Sequence, residues 1–523
     1  MGGGILSGLL ISLQPANFFA CFLGALLGTL VGVLPGLGPA AAMALLLPIT
    51  AGLGPTAGLI MLAGIYYGSM YGGSTTSILV NVPGEPASVV TAIDGYRMAR
   101  KGRAGAALAI SAIGSFVAGT FSVVALQLFA PRVAKAALEF GPAEYFALTL
   151  LGVILLSNLS GKSRLKSLMM IAAGIMLSTV GMDPLGGTSR FTFGYVPAQG
   201  GLSFIAITTG LFGVAEVLTL ISERGGPVVA LKVKLRELYP NREELKRSVK
   251  PIVRGGVLGF FVGLMPGPAA TIASFVSYGL ERRLSKHPAE FGQGAIEGVA
   301  GPESANNAAC AGGMVPLLSL GLPFTPATAV LLSAMLIMGV TPGPFLLRDH
   351  PQVFWGVIGS FYVGNIMLLV LNLPLVPLFA RVAQIPARYL MPVVLVLCVV
   401  GSYGDNNNLF DVWVMLAAGV AGYAMRRYGY EPAPLILGLV LGPIMERSFL
   451  QALIIGGGDV RGLWESRLSA GLLIAAVLCA ITPLATASWR GLRNRLLRRE
   501  AAEAVPVVAS STGQADDARD VRG

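Results

Sequence analysis

The first 84 residues contain no Asp, Glu, Lys or Arg, and this uncharged opening constrains the fold more than any other feature of the sequence. Across all 523 residues only 12% are charged and 54% are hydrophobic. Because a membrane-spanning helix needs about 20 apolar residues, the uncharged stretches suffice for roughly ten to twelve spans. A soluble globular domain of this composition would need an unusually apolar interior. The sequence therefore predicts an all-α polytopic membrane protein, without a cleaved signal peptide because its start lacks a basic n-region.

The net charge of +11 is concentrated between the apolar stretches. Its basic residues cluster in five segments, 97–103, 162–166, 222–254, 426–427 and 490–499. Lys and Arg accumulate in the cytoplasmic loops of membrane proteins. The excess therefore indicates membrane topology rather than a nucleic-acid partner, and it predicts a cytoplasmic C-terminus.

Two motifs of the first half recur in the second half in the same order. VGVLPGLGPAA, beginning at Val31, is matched by VGLMPGPAA, beginning at Val262. NVPGEPAS, beginning at Asn81, is matched by GLPFTPAT, beginning at Gly321. Two matched motifs predict an internal duplication. Because basic residues follow the first copy but precede the second, the two repeats are expected to be inverted relative to one another.

The second copy also predicts a re-entrant hairpin. Basic residues lie on both sides of segment 252–281, and each half of this segment has only about 14 residues, too few to cross a bilayer. We expect Pro266-Gly267 at its tip. Each of the two repeats is thus expected to contain broken or re-entrant helices.

Four regions follow from the charge pattern and the duplication. We predict a first membrane repeat at 1–221, a cytoplasmic linker at 222–251 and a second membrane repeat at 252–490. The polar segment 491–523 is predicted to be a disordered cytoplasmic tail, since its composition cannot form a core.

Each helix break is followed by a proline where a first helical residue belongs, at Pro39, Pro86, Pro268 and Pro326. Discontinuous helices in membrane repeats are typical of a transporter binding site. Helix N-termini carry unpaired N–H groups and partial positive charge. If the four N-termini converge, they suit a carboxylate ligand.

The side chains in the same segments are neutral donors, because no Lys or Arg lies inside either motif. Close helix packing is the alternative role for these small residues. The residues expected to bind the substrate are Pro35, Gly36, Gly38, Ser74, Thr75, Thr76, Ser77, Asn81, Gly84, Ser88, Pro266, Gly267, Thr271, Asn306, Asn307, Thr325 and Thr328.

Acidic residues inside a membrane are costly and are candidates for function. Glu85, Glu303 and Ser304 are expected to hold the coupling ion, either Na⁺ or H⁺, and no other cofactor is expected. The alternative for either carboxylate is a structural helix cap. Four further acidic residues are expected to have loop or interface roles, namely Glu216, Glu297, Asp405 and Glu446.

Three long motifs resemble the large membrane subunit of the tripartite tricarboxylate transporters: LPGLGPAAAMALLLPIT, YGGSTTSILVNVPGEPASVVTAIDGY and GPESANNAACAGGMVPLLSLGLP. The resemblance extends to about residue 490. It implies a secondary importer of carboxylates such as citrate, driven by an ion gradient. It also implies a small membrane subunit of about four spans, an extracytoplasmic solute-binding protein and a bacterial inner-membrane location. The family's motif positions correspond to the segments named above as the substrate and ion sites.

The sequence departs from the family pattern at Pro268, Ala269 and Phe324, where glycine or another small residue is usual. Phe324 would fill space beside the second break. Its ring is expected either to alter the carboxylate that binds or simply to pack against a neighbouring helix.

Three other functions are weighed against transport. A passive anion channel could use the same helix ends and hydroxyl groups. An intramembrane enzyme is disfavoured, because the sequence has no HExxH or GxSxG motif and its four cysteines stand apart. A scaffold that only docks a receptor would need no broken helices.

Overall fold

A computed structural model of the chain describes residues 4–34, 38–159, 163–183, 186–222, 239–382, 385 and 387–482. The chain divides into two units, Met1–Ala476 and Val477–Gly523. Of the second unit, only the helical residues 477–482 are described. The predicted tail at 491–523 lies outside the described residues.

Helices make up nearly all of the described structure. In chain order they are α1 Ile5–Ser12, α2 Pro15–Val33, α3 Gly38–Ala51, α4 Pro55–Val80, α5 Val89–Met98, α6 Ala104–Ala137, α7 Pro142–Leu159, α8 Arg164–Ser178, α9 Phe204–Thr208, α10 Ala215–Ser222, α11 Arg242–Gly263, α12 Ala269–Leu284, α13 Glu297–Leu320, α14 Pro326–Ile337, α15 Leu346–Asp349, α16 Pro351–Asn372, α17 Val376–Val382, α18 Ala387–Asn406, α19 Leu409–Arg427, α20 Pro432–Ile455, α21 Gly462–Glu465 and α22 Arg467–Thr482.

Short irregular elements connect several of these helices. A 3₁₀ turn at Pro86–Ser88 leads into α5, and π-helical turns at Ala99–Arg103 and Thr209–Val214 join α5 to α6 and α9 to α10. Two-residue strands, β1 Gly181–Met182 and β2 Ser189–Arg190, pair antiparallel. These strands do not change the fold class.

Six helical segments in the described part of the chain are long and apolar enough to cross a membrane. They are Pro15–Val33, Pro86–Ala137, Phe204–Ser222, Pro351–Asn372, Leu409–Arg427 and Pro432–Ile455. Five shorter apolar helices accompany them, at Gly38–Thr50, Pro142–Asn158, Pro326–Ile337, Met391–Asn406 and Arg467–Thr482. The predicted class of all-α polytopic membrane protein is confirmed.

The first repeat is built on close contact between α2 and α4. Gly24, Gly28 and Gly32 on α2 lie against the backbone of Met61, Ile65 and Ser69 on α4, so closely that a Cβ atom at any of the three glycines would overlap a carbonyl oxygen. Small residues four positions apart allow membrane helices to approach at backbone distance. The spacing of the glycines therefore fixes which face of α2 meets α4.

The second repeat reproduces this contact between α11 and α13. Gly255, Gly259 and Gly263 on α11 lie against the backbone carbonyl groups of Gly301, Ala305 and Ala309 on α13. These three residues of α13 follow Met61, Ile65 and Ser69 of α4 by 240 positions each. Equivalent residues of α4 and α13 therefore make equivalent contacts, which is a structural counterpart of the repeated motifs.

The two long helices also end in the same way. Asn81, after α4, has φ 61°, and Gly321, after α13, has φ 71°. Both residues therefore adopt the left-handed conformation that ends a helix, which Asn and Gly tolerate best. We call the segment 81–85 the first break and the segment 321–325 the second break.

The hairpin predicted around Pro266-Gly267 is formed by α11 and α12, which pack against each other. Gly267 has φ 131° and its N–H donates to the carbonyl oxygen of Phe324 at 2.9 Å, so the hairpin tip touches the second break. Helix α11 begins at Arg242 and has 22 residues, so the expectation that each half of the hairpin has only about 14 residues is wrong for the first half.

The remaining helices surround this core. Helix α6 packs against α11, α13 and α16, and α12 packs against α13. Helices α7, α8 and α20 form one group, whereas α18 and α19 pack with the π turn between α9 and α10. The second break, 321–325, is buried throughout, whereas the first break runs from the exposed Asn81 to the buried Gly84 and Glu85.

Candidate functional site

Glu303 lies at the centre of a buried polar cluster beside the first break. It is only 1% exposed, and Ser74 on α4 donates a hydrogen bond of 2.5 Å to its Oε2 atom. Thr91 on α5 donates to its other oxygen, and the Ser111 hydroxyl on α6 is a further donor. Three helices therefore contribute hydroxyl groups to one carboxylate on a fourth helix.

Glu85, the last residue of the first break, is the second buried carboxylate. It is 4% exposed, and it accepts a hydrogen bond of 2.8 Å from the Nδ2 atom of Asn306. Its Cγ atom lies against Gly73, where a side chain would collide with it. Glu85 and Glu303 are close enough to interact electrostatically, so the first break contains two adjacent acidic groups.

The second break contains hydroxyl groups instead. Thr325 caps the N-terminus of α14 by accepting from the N–H of Thr328 at 3.2 Å, and Thr328 reciprocates by accepting from the N–H of Thr325 at 3.0 Å. This pair forms a capping box. The Tyr66 hydroxyl on α4 contacts both Thr325 and Cys310, so a neutral polar cluster lies at this break.

Each break is contacted by the long helix of the opposite repeat. Asn306 on α13 bonds to Glu85 in the first break, and Tyr66 on α4 contacts Thr325 in the second break. Tyr66 precedes Asn306 by 240 positions, and Glu85 precedes Thr325 by the same number. The two contacts are thus equivalent under the duplication, and Cys310, which contacts Tyr66 and bonds to the carbonyl of Asn306, connects them.

Several predicted site residues bond only to nearby backbone. Thr75 bonds to the carbonyl oxygen of Tyr71, Thr76 to that of Gly73, and Ser88 to that of Glu85. A hydroxyl group that bonds to its own helix keeps its lone pairs, so these groups can still accept from a ligand.

Other predicted residues have structural surroundings. Asn307 donates to Ser115 on α6 at 2.7 Å, while Gly84 packs directly against the backbone of Gly32 and Gly73. Asn81 is exposed at the C-terminus of α4 and Thr271 is half-buried on α12.

Ser304 does not join the two carboxylates. Its hydroxyl bonds to the carbonyl oxygen of Ala300 at 2.7 Å and packs against Gly114 on α6. Pro35 and Gly36, predicted to bind substrate, lie outside the described residues. Gly38, the first residue of α3, has φ 59°.

The positions of the four prolines differ from the prediction in two cases. Pro86 and Pro326 are first residues of a 3₁₀ turn and of α14, as predicted. Pro268 instead precedes α12 as its N-cap residue, with ψ 60°, and Pro39 is the second residue of α3. The fixed φ of proline suits all of these positions.

Thr91, Ser111, Ser115 and Tyr66 are site residues that the sequence reasoning missed. Thr91 follows the first break within the motif PASVVTA, so its place near Glu85 was a usable signal. Ser111 and Ser115 lie one turn apart on α6 and therefore share one helix face. Ser111 interacts with Glu303, and Ser115 accepts from Asn307. Only the packing of α6 against α13 reveals their role.

The four acidic residues expected at loops or interfaces are found in such contacts. Glu297 accepts two hydrogen bonds of 2.8 Å from Arg247. Glu216 pairs with Arg426, Glu446 pairs with Arg190, and Asp405 accepts from Ser203. The bond to Glu297 raises the pKa of Arg247 above its usual range, so the guanidinium of Arg247 stays charged at all ordinary pH values.

A comparison with known families decides the identity of the chain. A model described as "Tripartite tricarboxylate transporter TctA family" matches residues 18–437. The chain belongs to this family. The resemblance read from the three motifs is thereby confirmed, and the matched range includes both breaks and the hairpin.

Two relatives from Agrobacterium vitis are similar to this TctA-family chain. One, an uncharacterized 52.8 kDa protein in the TAR-I ttuC′ 3′ region, is 47% identical over 493 residues, which are 94% of this chain and 98% of the relative. The other, an uncharacterized protein in the TAR-II ttuC′ 3′ region, is 46% identical over 226 residues, which are 43% of this chain and 93% of the relative. No solved structure matches the chain.

Phe324, the unusual residue of this TctA-family chain, packs into the protein rather than into an open site. It is 7% exposed and belongs to an apolar cluster with Val153, Leu156 and Leu322. Its ring lies close to Gly152 on α7. Of the two alternatives for Phe324, packing against a neighbouring helix is the one that the structure favours.

Replacing Phe324 by alanine should therefore destabilise the protein without changing which carboxylate is preferred. Cavity formation at a buried phenylalanine costs about 3 kcal/mol. We expect a lower unfolding temperature of the purified protein and an unchanged ratio between the uptake rates of any two substrates. A changed ratio with unchanged stability would instead place the ring at the substrate.

Proposed function

We propose that this chain is the large permease subunit of a binding-protein-dependent secondary transporter that imports tricarboxylates or related carboxylates. The observation that carries the proposal is the pair of equivalent breaks, each contacted by the long helix of the opposite repeat. Irregular backbone at membrane depth is stable only where protein or a polar cavity surrounds it. Membership of the TctA family supports a tricarboxylate as the substrate class.

The substrate is expected to bind at helix N-termini and hydroxyl groups. The break regions 74–92 and 321–334 contain no Lys or Arg, so no fixed cation is available there to bind a carboxylate. The N-terminus of α14 lies at the second break, and the N-terminus of α12 lies beside it at the hairpin tip. Each such terminus stabilises an anion by roughly 0.3–2 kcal/mol.

The gradient of Na⁺ or H⁺ would drive import by alternating access. The inverted orientation of the repeats, argued from the charges beside each copy, lets one repeat move against the other around a central site. Cation binding near Glu85 and Glu303 would favour the loaded state, because a ligand shifts a conformational equilibrium only through its differential affinity.

Several contacts between the repeats lie beside the basic segment 97–103. Asp94 on α5 accepts from the N–H groups of Gly294 and Ala295, before α13, and from the Tyr278 hydroxyl on α12. Lys101 also donates to the carbonyl oxygen of Gln293. If the basic loops are cytoplasmic, these contacts must open before substrate is released inward.

The partners are proposed from the tripartite organisation of the family. A solute-binding protein on the outer side of a bacterial inner membrane would deliver the carboxylate, and a small subunit of about four spans would accompany this chain. The C-terminal tail would lie in the cytoplasm, as its basic residues indicate.

The proposal is tested by uptake in native cells with and without this gene. Labelled citrate and a panel of related tri- and dicarboxylates are supplied while Na⁺ concentration and pH are varied independently. We expect that cells without the gene selectively lose the uptake of one substrate class, and that this uptake is saturable and gradient-dependent in cells that have the gene. Uptake that persists after the gradients are collapsed, and that does not saturate, would indicate a passive channel and overturn the proposal.

A further inference from the structure

The two breaks differ in charge at equivalent positions. Glu85 in the first break corresponds to Thr325 in the second, and Glu303 on α13 corresponds to Ala63 on α4. The duplicated framework thus has two carboxylates at one break and none at the equivalent positions of the other. A carboxylate substrate would be repelled at the first break, whereas a cation would be attracted there.

The two carboxylates are buried without a basic partner. Glu85 and Glu303 are 4% and 1% exposed, and within the described ranges neither takes part in an ion pair with Lys, Arg or His. A buried ionised carboxylate is very costly unless a positive charge compensates it. A second carboxylate nearby increases this cost.

Two buried oxygen atoms, on Asn306 and on Ser77 of α4, lack hydrogen-bond partners. The Oδ1 atom of Asn306 is buried and has no hydrogen-bond partner, although the Nδ2 atom of the same amide bonds to Glu85. The Ser77 hydroxyl is also buried and unpartnered. Ser77 lies one turn beyond Gly73, which contacts Glu85, and Ser74, which bonds to Glu303, so helical spacing puts it on the same face of α4 as these two residues. An unpartnered buried polar atom in a native structure needs an explanation, and a bound ion is one that suits oxygen atoms near a carboxylate.

We propose that the first break is a Na⁺ site in which Glu85 and the Oδ1 atom of Asn306 bind the dehydrated ion, with Ser77 as a third oxygen ligand and Glu303 as the neighbouring charge. This inference rests on the proposed transport function and assigns its coupling ion to one break, leaving the neutral second break for the carboxylate. An all-oxygen set suits a hard cation. In the part of the chain that the structure describes, no three or more His, Cys, Asp or Glu side chains gather into a metal site, so the proposed site uses amide and hydroxyl oxygen atoms beside its two carboxylates.

A proton would provide a partner for fewer of the oxygen atoms in this site than a Na⁺ ion would. A proton on Glu85 would neutralise one charge, but it could donate a hydrogen bond to only one acceptor. A Na⁺ ion contacts several oxygen atoms at once, and it can bind the Asn306 amide and the Ser77 hydroxyl together with the carboxylate. Independent variation of Na⁺ and pH separates the two ions.

The test measures thermal unfolding of the purified full-length chain in lipid nanodiscs, without substrate and without partner proteins. NaCl is titrated against KCl at constant ionic strength and at several pH values. Because Na⁺ binds the folded state, the unfolding temperature should rise with the logarithm of its concentration above the dissociation constant. K⁺ at the same concentration should leave it unchanged.

Three variants locate the ion. Glu85→Gln should abolish the response to Na⁺ and should raise the unfolding temperature in KCl, because it removes an uncompensated buried charge. Ser77→Ala should keep the response but shift its midpoint to several-fold higher Na⁺. Ser360→Ala on α16 is the control, because its hydroxyl is buried and bonds to the carbonyl oxygen of Val357 in the same helix, and this variant should respond to Na⁺ as the unmodified chain does.

Three results would overturn the proposal: equal effects of Na⁺ and K⁺, a response that depends on pH alone, or a full Na⁺ response in Glu85→Gln. The last result would place a Na⁺ site elsewhere. None of these results concerns uptake, so the site can fail while the proposed transport function stands. Conversely, absence of carboxylate uptake with an intact Na⁺ response would overturn the transport function alone.

Discussion

Replacing Gly259 by leucine is expected to leave almost no folded protein in the membrane. A Cβ atom at this position would overlap the carbonyl oxygen of Ala305, so the backbone of α11 itself would have to move away from α13. Overpacking against side chains typically costs about 1–3 kcal/mol, and a rigid backbone neighbour relaxes less than a side chain does. Because α13 also carries Glu303 and Asn306, the displacement would disrupt the polar cluster at the first break.

The yield of monodisperse protein after detergent extraction measures this effect. Gly279→Leu on the adjacent helix α12 is the control, because nothing lies within 4 Å of a Cβ atom there, and leucine favours a helix over glycine by about 1 kcal/mol. Gly28→Leu, at the corresponding contact in the first repeat, should be as damaging as Gly259→Leu. Equal yields for Gly259→Leu and Gly279→Leu would show that the α11 contact tolerates separation.

The breaks themselves could be predicted because their causes are local. A proline near a helix start, and an Asn or Gly where a helix must end with positive φ, are visible in the sequence without any knowledge of packing. Asn81, Pro86, Gly321 and Pro326 all occupy such positions in the structure. Repetition of the pattern strengthened the prediction, since two copies constrain each other.

Contacts across the repeats could not be predicted in the same way. Asn306 and Glu85 are 221 residues apart in sequence, and neither motif contains information about which helix face meets the other. The same limit applies to Ser304, which the motif GPESANNAACAGG groups with Glu303 as a candidate for holding the coupling ion. Adjacent residues on a helix point in different directions, so Ser304 faces α6 instead.

The partner of Phe324 was unpredictable for a related reason. Its sequence neighbours lie in the second break, but its ring packs against α7, which is far away in the chain. A bulky side chain at a break can contact either the ligand or a neighbouring helix. The positions of the surrounding helices decide between these two roles, and the sequence does not give those positions.

Replacing Glu303 by glutamine is expected to reduce substrate uptake on the order of 100-fold, the upper range of coupling between two binding events. Glutamine preserves the size of the side chain, so the protein should remain folded. It removes the negative charge and replaces one of the two acceptor oxygens with an N–H₂ group, which only donates, so the hydrogen bond from either Ser74 or Thr91 is lost. The uptake that remains should depend less steeply on Na⁺ or pH, because one of two charges at the first break is lost. Ser360→Ala on α16 is the control, since its hydroxyl is buried and bonds to the carbonyl oxygen of Val357 in the same helix. Initial rates in whole cells, normalised to folded protein in the membrane and measured over a matrix of Na⁺ concentrations and pH values, give both quantities. If Glu303→Gln kept the rate and the cation dependence of the unmodified protein, Glu303 would serve only to hold α4 and α5 against α13 through its two hydroxyl donors.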